Sequence, residues 1–206
     1  KTLFPYTTLF RSTLTINKNG DNYETVPDLV FNGSSGISDI VLVDRAGAIA
    51  RSRTDLNKEK QSLLSFTNPR NVTGTLLEVM RGADVFVGVS GPDLVDADAL
   101  RAMAEGPIVF ALSNPTPEIM PDEAKRGGAA VIATGRSDFP NQINNALVFP
   151  GIFRGALDKR LTAITTETKL RAARALAGLV ARPTANKIVP DILDPRVVKA
   201  IAKAVK

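Results

Sequence analysis

Polar clusters follow three successive apolar runs near the middle of this sequence. Ser90 comes after "VFVGV", Asn114 after "PIVFALS", and the pair Asn144 and Asn145 lies beyond "AAVIATG". If these runs are parallel strands, their carboxyl ends share one edge of a sheet, where open α/β sheets bind ligands. Any one cluster could instead be an ordinary loop. Their recurrence after three runs favours a shared cleft for a ligand that is rich in hydrogen-bond donors and acceptors.

The amides around Asn144 allow two interpretations. Asn141, Gln142, Asn144 and Asn145 directly precede the apolar segment "ALVF". Amide side chains at such a place are usually helix caps or turn formers. The alternative is that they face a ligand, and the local residues do not decide between the two.

An acidic residue ends the first strong apolar run, "DIVLVD". In dinucleotide-binding folds an acid at such a strand end accepts hydrogen bonds from the ribose hydroxyls, so Asp44 is a candidate cofactor ligand. An aspartate there is also a common turn former. Asp44 would favour NAD by repelling a 2′-phosphate, whereas the next residue, Arg45, could accommodate one. The choice between NAD and NADP therefore stays open.

The composition limits the chemistry that this chain can perform. Its 206 residues include no cysteine and no histidine, which removes disulfides, thiolate metal sites and the commonest general base. The net charge of +5 arises from 26 basic and 21 acidic residues that are mixed along the chain. The basic stripe near the carboxyl end, Arg196, Lys199, Lys203 and Lys206, has no aromatic companions and predicts a solvated helix face rather than a nucleic-acid site.

The sequence also predicts a cellular location. Its longest apolar runs are far shorter than a membrane span, and the first residues, "KTLFPYTTLFRS", lack the apolar core of a signal peptide. A chain without cysteine fits a reducing compartment. We therefore expect a cytoplasmic protein whose partners include neither a membrane nor a nucleic acid.

Apolar, β-branched runs alternate with capped helical segments from residue 39 onward. The runs predict strands near 39–44, 84–89, 107–112 and 129–134. Their nearly continuous apolar character is typical of a sheet that is buried on both faces. The alternation with helices predicts an α/β fold, a doubly wound parallel sheet of the Rossmann-like kind.

The carboxyl-terminal part has no further strand-like runs. We expect one helix over 141–160, opened or interrupted at Pro150-Gly151, another over 167–180, and a last one after Asp194-Pro195. Residues 28–140 are assigned to a Rossmann-like cofactor-binding domain. Residues 141–206 are assigned to a helical extension packed on it.

The amino end is irregular. "DLVFNG", residues 28–33, looks like a first strand, but "SSGISDIVLVD" follows it without the helix that a parallel crossover requires. The first βα unit of the expected domain is therefore incomplete. Residues 1–27 stay unassigned, and residues 1–12 resemble a translated sequencing adapter.

Several blocks of the sequence resemble malic enzymes, in particular their carboxyl-terminal NAD-binding domain in the compact bacterial and archaeal type. The resemblance covers about residues 36–206 and rests on the blocks "TNPRNVTGTL", "VFVGVSGP", "SNPTPE", "SDFPNQINNALVFPGIFRGALD" and "DPRV". It implies oxidative decarboxylation of malate to pyruvate and carbon dioxide, with NAD or NADP as hydride acceptor and Mg²⁺ or Mn²⁺ as Lewis acid. An intact enzyme of this type would be a homodimer.

The resemblance also implies roles for individual residues. By it, Asn114, Asn144 and Asn145 contact the substrate. Together with their positions at strand ends, it implies cofactor contacts at Asp44, Arg45, Val89, Ser90, Gly91, Asn114 and Asn145.

Other features of the family have no counterpart that we can assign. Family members carry a catalytic tyrosine and lysine and a Glu/Asp/Asp metal set on an amino-terminal portion, whereas Tyr6 and Tyr23 lie in no such context. Glu118 and Asp138, near the expected cleft, do not reproduce the metal set. We therefore assign no catalytic residue and no metal ligand, and expect a copy that is truncated on its amino-terminal side and inactive by itself. The alternatives are a noncatalytic nucleotide-binding module of the same fold and another NAD(P)-dependent dehydrogenase.

Overall fold

A computed structural model describes residues 39–206 in full and residues 11–15 by their backbone. The strands of these residues are Arg11–Thr15 (β1), Asp39–Asp44 (β2), Gly47–Ala48 (β3), Val85–Gly88 (β4), Ile108–Ala111 (β5) and Val131–Thr134 (β6). Among the described residues they form one sheet of six strands in the order β3-β2-β1-β4-β5-β6. Neighbouring strands are parallel except at β3, which pairs antiparallel with β2.

The parallel strands predicted after residue 38 are confirmed. Strand β1 is not predicted from the sequence, and its presence corrects the interpretation of the amino end. Residues 1–27 stay unassigned on sequence grounds, yet residues 11–15 form a strand in the middle of the sheet, where Leu14 is in register with Leu42 of β2 and Val87 of β4. The stretch between β1 and β2 is longer than the dozen or so residues that a parallel connection needs. The strand predicted at 28–33 lies outside the described residues.

Helices cover both faces of the sheet, as predicted. Ile40 and Leu42 of β2 pack in one cluster with Leu63, whereas Val41 and Val43 pack in another with Val79. Because successive strand residues point to opposite faces, the first two helices lie on opposite sides of β2. The helices of this part are Lys58–Leu63 (α1), Leu76–Met80 (α2), Ala97–Arg101 (α3) and Pro121–Arg126 (α4).

Polar caps and one apolar cluster hold α3 in place beside β4. Asp96 accepts a hydrogen bond from the Ala99 amide at 2.8 Å, which satisfies one of the free N–H groups of the first turn. Leu100 of the same helix is buried in a cluster with Phe86 of β4 and Val109 of β5. Complete burial of such a side chain contributes about 1.5–3 kcal/mol, so this cluster fixes the position of the strand ends that carry the candidate site.

The carboxyl-terminal helices share an apolar cluster of their own. It contains Ile152, Ala172, Val197, Ile201 and Val205. The elements are a 3₁₀ helix, Asn145–Leu147, followed by Phe149–Asp158 (α5), Thr166–Ala177 (α6) and Arg196–Ala204 (α7).

Glycines let α5 approach α7 closely. A Cβ at Gly151 would lie 2.6 Å from the Ile201 Cβ, and one at Gly155 would lie 2.6 Å from the Ala202 carbonyl oxygen. Lys159, at the end of α5, donates from Nζ to the carbonyl oxygens of Ala202 and Lys203 at 3.0 and 2.9 Å. The charged amine therefore caps the last turn of α7, where a cation is favoured by the helix dipole.

The helix predicted over 141–160 is wrong in its first part. Asn141 has a φ of 57°, and the Ile143 amide donates to the Thr134 carbonyl at 2.8 Å, so this stretch continues along the edge of β6. The α-helix begins only at Phe149. Pro150 lies in its first turn, where the missing N–H removes no intrahelical hydrogen bond. Helices α6 and α7 occur where the sequence predicts them.

Candidate functional site

The loops after β4 and β5 are tied together by a buried carboxylate. Glu118 is wholly buried. It accepts hydrogen bonds from the backbone amides of Ser90 at 2.8 Å and Ser113 at 3.1 Å. The sequence places Glu118 near the cleft but predicts no role for it. Its partner, the Ser90 amide, is 28 residues away in the chain, so no local pattern indicates the contact.

The amides Asn114 and Asn144 meet at one glycine. Asn144 donates from Nδ2 to the Gly135 carbonyl at 3.3 Å. A Cβ at Gly135 would lie only 2.6 Å from the Nδ2 atom of Asn114, so a side chain there would displace this amide. Gly135 directly follows β6, and the structure thus brings together the ends of β5 and β6 through these two side chains.

Asn145 and Asn141, two further amides of the segment, differ in their surroundings. Asn145 is the first residue of the 3₁₀ helix and its side chain is exposed. The residue before it, Asn144, accepts the Ala146 amide at its Oδ1 atom at 3.0 Å. Asn141 is buried and has a structural role. Its Nδ2 donates to the carbonyls of Ile132 and Ala185 at 2.9 and 2.7 Å.

The carbonyl oxygen of the Asn141 side-chain amide is also hydrogen-bonded. Its Oδ1 accepts the Ile188 amide at 2.8 Å. Asn141 therefore fastens β6 to the segment 185–188 and has little hydrogen-bonding capacity left for a ligand. The structural interpretation of the amide cluster holds for Asn141, which fastens two segments, and for Asn144, which caps the 3₁₀ helix and donates to the Gly135 carbonyl. Contact of Asn144 and Asn145 with a ligand stays a prediction.

The loop after β4 leaves room for a ligand. The Oγ atom of Ser90 is buried without a hydrogen-bond partner among the described residues. A buried hydroxyl of this kind is costly unless something bonds it. A Cβ added at Gly91 would meet no atom of the described residues within 4 Å. Val89, Ser90 and Gly91 therefore fit the wall of a site for a polar ligand.

Asp44 lies at the end of β2 but its carboxylate is already occupied. Arg53 donates to its two oxygens at 2.7 and 3.2 Å, Lys60 donates at 2.6 Å, and the Ala46 amide donates at 2.9 Å. These four donors match the roughly four lone-pair positions of a carboxylate. A ribose hydroxyl would have to displace one of them.

The cations also set the charge of this group. Burial raises the pKa of Asp44, but hydrogen bonds from Arg53, Lys60 and the Ala46 amide outweigh burial and hold that pKa below its usual value. The sequence points to Asp44 and to Arg45, whose side chain is exposed. It offers no signal for Arg53 and Lys60, because only the fold brings them to the end of β2.

The carboxylates near the cleft do not form a metal site. Arg136 pairs with Asp138 at 2.6 Å, and this hydrogen bond lowers the pKa of Asp138. Across residues 39–206, no three Asp or Glu side chains lie close enough together to hold a metal ion. The residues that the structure describes therefore do not fit a Mg²⁺ or Mn²⁺ site. None of the described helices has both the length and the apolar character that a membrane span requires.

Comparison with known proteins points to one family. A family model described as "Malic enzyme, NAD binding domain" matches residues 31–206. The chain is 48% identical over 173 residues to a bifunctional malic/malolactic enzyme of Bacillus subtilis, covering 82% of this chain and 42% of the relative. It is 48% identical over 174 residues to an NAD-dependent malic enzyme of Geobacillus stearothermophilus, covering 84% of this chain and 36% of the relative.

A solved structure agrees with these relatives. The fold superposes on the NAD-dependent malic enzyme of Thermotoga maritima with a TM-score of 0.83 and 37% identity, over 94% of this chain and 51% of that one. The chain thus spans about half, or less, of the length of these proteins. The match of the family model to most of the chain, at this level of identity, shows that the chain belongs to the malic enzyme family and contains its NAD-binding domain.

Proposed function

We propose that this chain is the cofactor-binding part of an enzyme that oxidatively decarboxylates malate to pyruvate and carbon dioxide with NAD or NADP. The observation that carries the proposal is the meeting of Asn114 and Asn144 at Gly135, beside the open loop at Ser90. Relatives that bear the names of NAD-dependent and NADP-dependent malic enzymes support it.

The substrate contacts are assigned to Asn114, Asn144 and Asn145. Amide side chains can donate to carboxylate oxygens and can also accept from a hydroxyl. Because they are neutral, they bind a dicarboxylate without adding to or cancelling its charge. Asn114 and Asn145 are exposed, so they are accessible to a small molecule without prior opening of the fold.

The cofactor contacts are assigned to the loop after β4 and to the end of β2. The buried, unpartnered Ser90 hydroxyl and the open space at Gly91 support the first group. When bound, the nicotinamide would accept the hydride that leaves the hydroxyl-bearing carbon of the substrate. The full set is Asp44, Arg45, Val89, Ser90, Gly91, Asn114 and Asn145.

NAD and NADP stay alternatives at the end of β2. Arg53 and Lys60 neutralise Asp44, which weakens the repulsion that this carboxylate would exert on a 2′-phosphate. Arg45 is exposed beside it. A ribose hydroxyl, in contrast, needs an acceptor that is now shared among four donors.

The wider setting is part of the same proposal. The Mg²⁺ or Mn²⁺ ion that the family resemblance implies would be held by groups other than residues 39–206. A homodimeric intact enzyme and a cytoplasmic location stay predictions, as does the absence of a nucleic-acid partner.

The proposal is tested by nuclear magnetic resonance on the ¹⁵N-labelled chain. Millimolar NAD, NADP and malate are added in turn, and the side-chain amide signals of Asn114, Asn144 and Asn145 are followed. We expect shifts at these three on binding, and no shift at Asn141, whose side chain is fully engaged within the fold.

A matched pair of variants sharpens the test. Asn114→Ala should weaken malate binding at least tenfold, because a polar group of the ligand loses its partner. Asn186→Ala, which removes an exposed turn asparagine, should leave it unchanged. Cofactor binding without any effect of malate would favour the alternative, a noncatalytic nucleotide-binding module.

A further inference from the structure

The buried side chain of Glu118 joins two loops of the cleft. Its Oε1 accepts the Ser90 amide in the loop after β4, and its Oε2 accepts the Ser113 amide in the loop after β5. Ser90 belongs to the proposed cofactor wall, and Ser113 directly precedes Asn114. The Glu118 side chain therefore contributes to the spacing between these two groups of residues, together with the Leu112 amide, which donates to the Gly88 carbonyl at 2.9 Å.

The surroundings of Glu118 require a carboxylate. Both of its partners are N–H donors, and only a carboxylate offers an acceptor oxygen to each. Glutamine would turn one oxygen into an NH₂ group that faces an N–H. Gly88, the last residue of β4, makes space for the acid, because a Cβ at this position would lie 2.5 Å from the Glu118 Cδ.

The backbone around Glu118 reinforces the same connection. The Pro117 carbonyl accepts the Asp93 amide at 3.2 Å, and the Glu118 carbonyl accepts the Val95 amide at 3.1 Å. The loop after β4 is thus held at its far end by backbone bonds and at its near end by the Glu118 side chain. Removing the side chain would free the part of the loop that carries Ser90.

We propose that Glu118 is a positioning residue of the cofactor cleft, which holds Ser90–Gly91 and Asn114 at the separation that a bound nicotinamide cofactor requires. The inference rests on the proposed function. Because Glu118 is wholly buried, it acts through the two loops without touching the cofactor.

The test compares Glu118→Gln with a matched control in the ¹⁵N-labelled chain. The control is Glu123→Gln, in the first turn of α4. It replaces another carboxylate that accepts a backbone amide, that of Ala97 at 3.3 Å, but makes no contact with the Ser90 or Ser113 amide. NADH and NADPH are titrated into each folded variant, and Kd is taken from the shifts of the Ser90 and Asn114 amides. We expect Kd to rise at least tenfold in Glu118→Gln and less than twofold in Glu123→Gln.

Amide hydrogen exchange supplies a readout that needs no cofactor. In Glu118→Gln, the Ser90 or Ser113 amide should exchange at least tenfold faster than in the wild-type chain, while the Ala97 amide is unchanged. If Glu118→Gln does not fold, Gly88→Ala serves instead, because its methyl group would push the carboxylate away from the Ser90 amide.

The possible failures are distinguishable. Equal cofactor affinity in the wild-type chain and in a folded Glu118→Gln or Gly88→Ala variant would overturn the positioning role and leave the proposed function standing. A wild-type chain that binds neither NADH nor NADPH would refute the proposed function, and the role of Glu118 in the cleft would fall with it.

Discussion

Replacement of Asn141 by alanine should destabilise the fold strongly. The side chain makes three hydrogen bonds, to the Ile132 and Ala185 carbonyls and from the Ile188 amide. At roughly 1 kcal/mol of net stabilisation for each bond, the substitution removes about 3 kcal/mol. Residue 141 also has a φ of 57°, which alanine adopts at a cost of about 1 kcal/mol. The expected loss in the free energy of unfolding is therefore about 4 kcal/mol.

Urea denaturation followed by far-ultraviolet circular dichroism measures this loss. With a slope of about 2 kcal/mol per molar urea, the midpoint should fall by about 2 M. Asn141→Gly should recover about 1 kcal/mol, since glycine adopts the left-handed conformation without strain but restores no hydrogen bond.

Asn71 offers a matched control for this substitution. It has a φ of 55° and its side chain accepts one bond, from the Arg51 amide at 2.8 Å, but it is exposed. Asn71→Ala should cost only about 1–2 kcal/mol, because water can replace the lost contact. Equal losses at positions 71 and 141, or a loss below about 1.5 kcal/mol at 141, would refute the idea that Asn141 fastens the carboxyl-terminal part to β6.

Three further results are expected. Asp44→Asn should destabilise the chain near neutral pH by about 3 kcal/mol, because Arg53 and Lys60 lose their partner. Those contacts lower the pKa of Asp44, so the stabilisation is present above the unfolded pKa of about 3.9 and is lost as the pH falls through the lower folded pKa. The denaturation midpoints of the wild-type chain and of Asp44→Asn should therefore converge in acid. A gap between them that stays constant with pH would contradict this. Gly155→Ala should cost about 1–3 kcal/mol by overpacking against Ala202, as measured by thermal unfolding, whereas Gly178→Ala, whose Cβ would meet nothing closer than 3.3 Å, should be tolerated. The chain mixed with malate, Mn²⁺ and NAD or NADP should form no reduced nicotinamide, and metal-dependent turnover would show that it supplies catalytic groups we have not assigned.

Much of the fold can be predicted because its signals are local. The runs that become β2, β4, β5 and β6 are β-branched and nearly continuous, and a strand buried on both faces requires this pattern. Asp96 is a residue type that caps helices well, and its side chain caps the first turn of α3. Residues 11–15 carry no such signal, and their strand is defined by pairing with two neighbours far along the chain.

In the candidate site, too, features with local signals can be predicted and contacts between distant segments cannot. The sequence by itself determined the family, the alternation of strands and helices after residue 38, and the polar residues that follow each strand. It could not separate Asn141 from Asn144, because both are amides in one short segment and only their distant partners, at Ala185 and at Gly135, distinguish them.

Charge and burial were decided by the tertiary structure. The sequence marks Asp44 as a free acceptor at a strand end, but folding brings Arg53 and Lys60 onto its two oxygens. It marks Glu118 as a loop carboxylate, but folding buries it between the amides of Ser90 and Ser113. A side chain's type and its local pattern are properties of the chain, whereas its hydrogen-bond partners and its exposure to water depend on which distant segments pack against it.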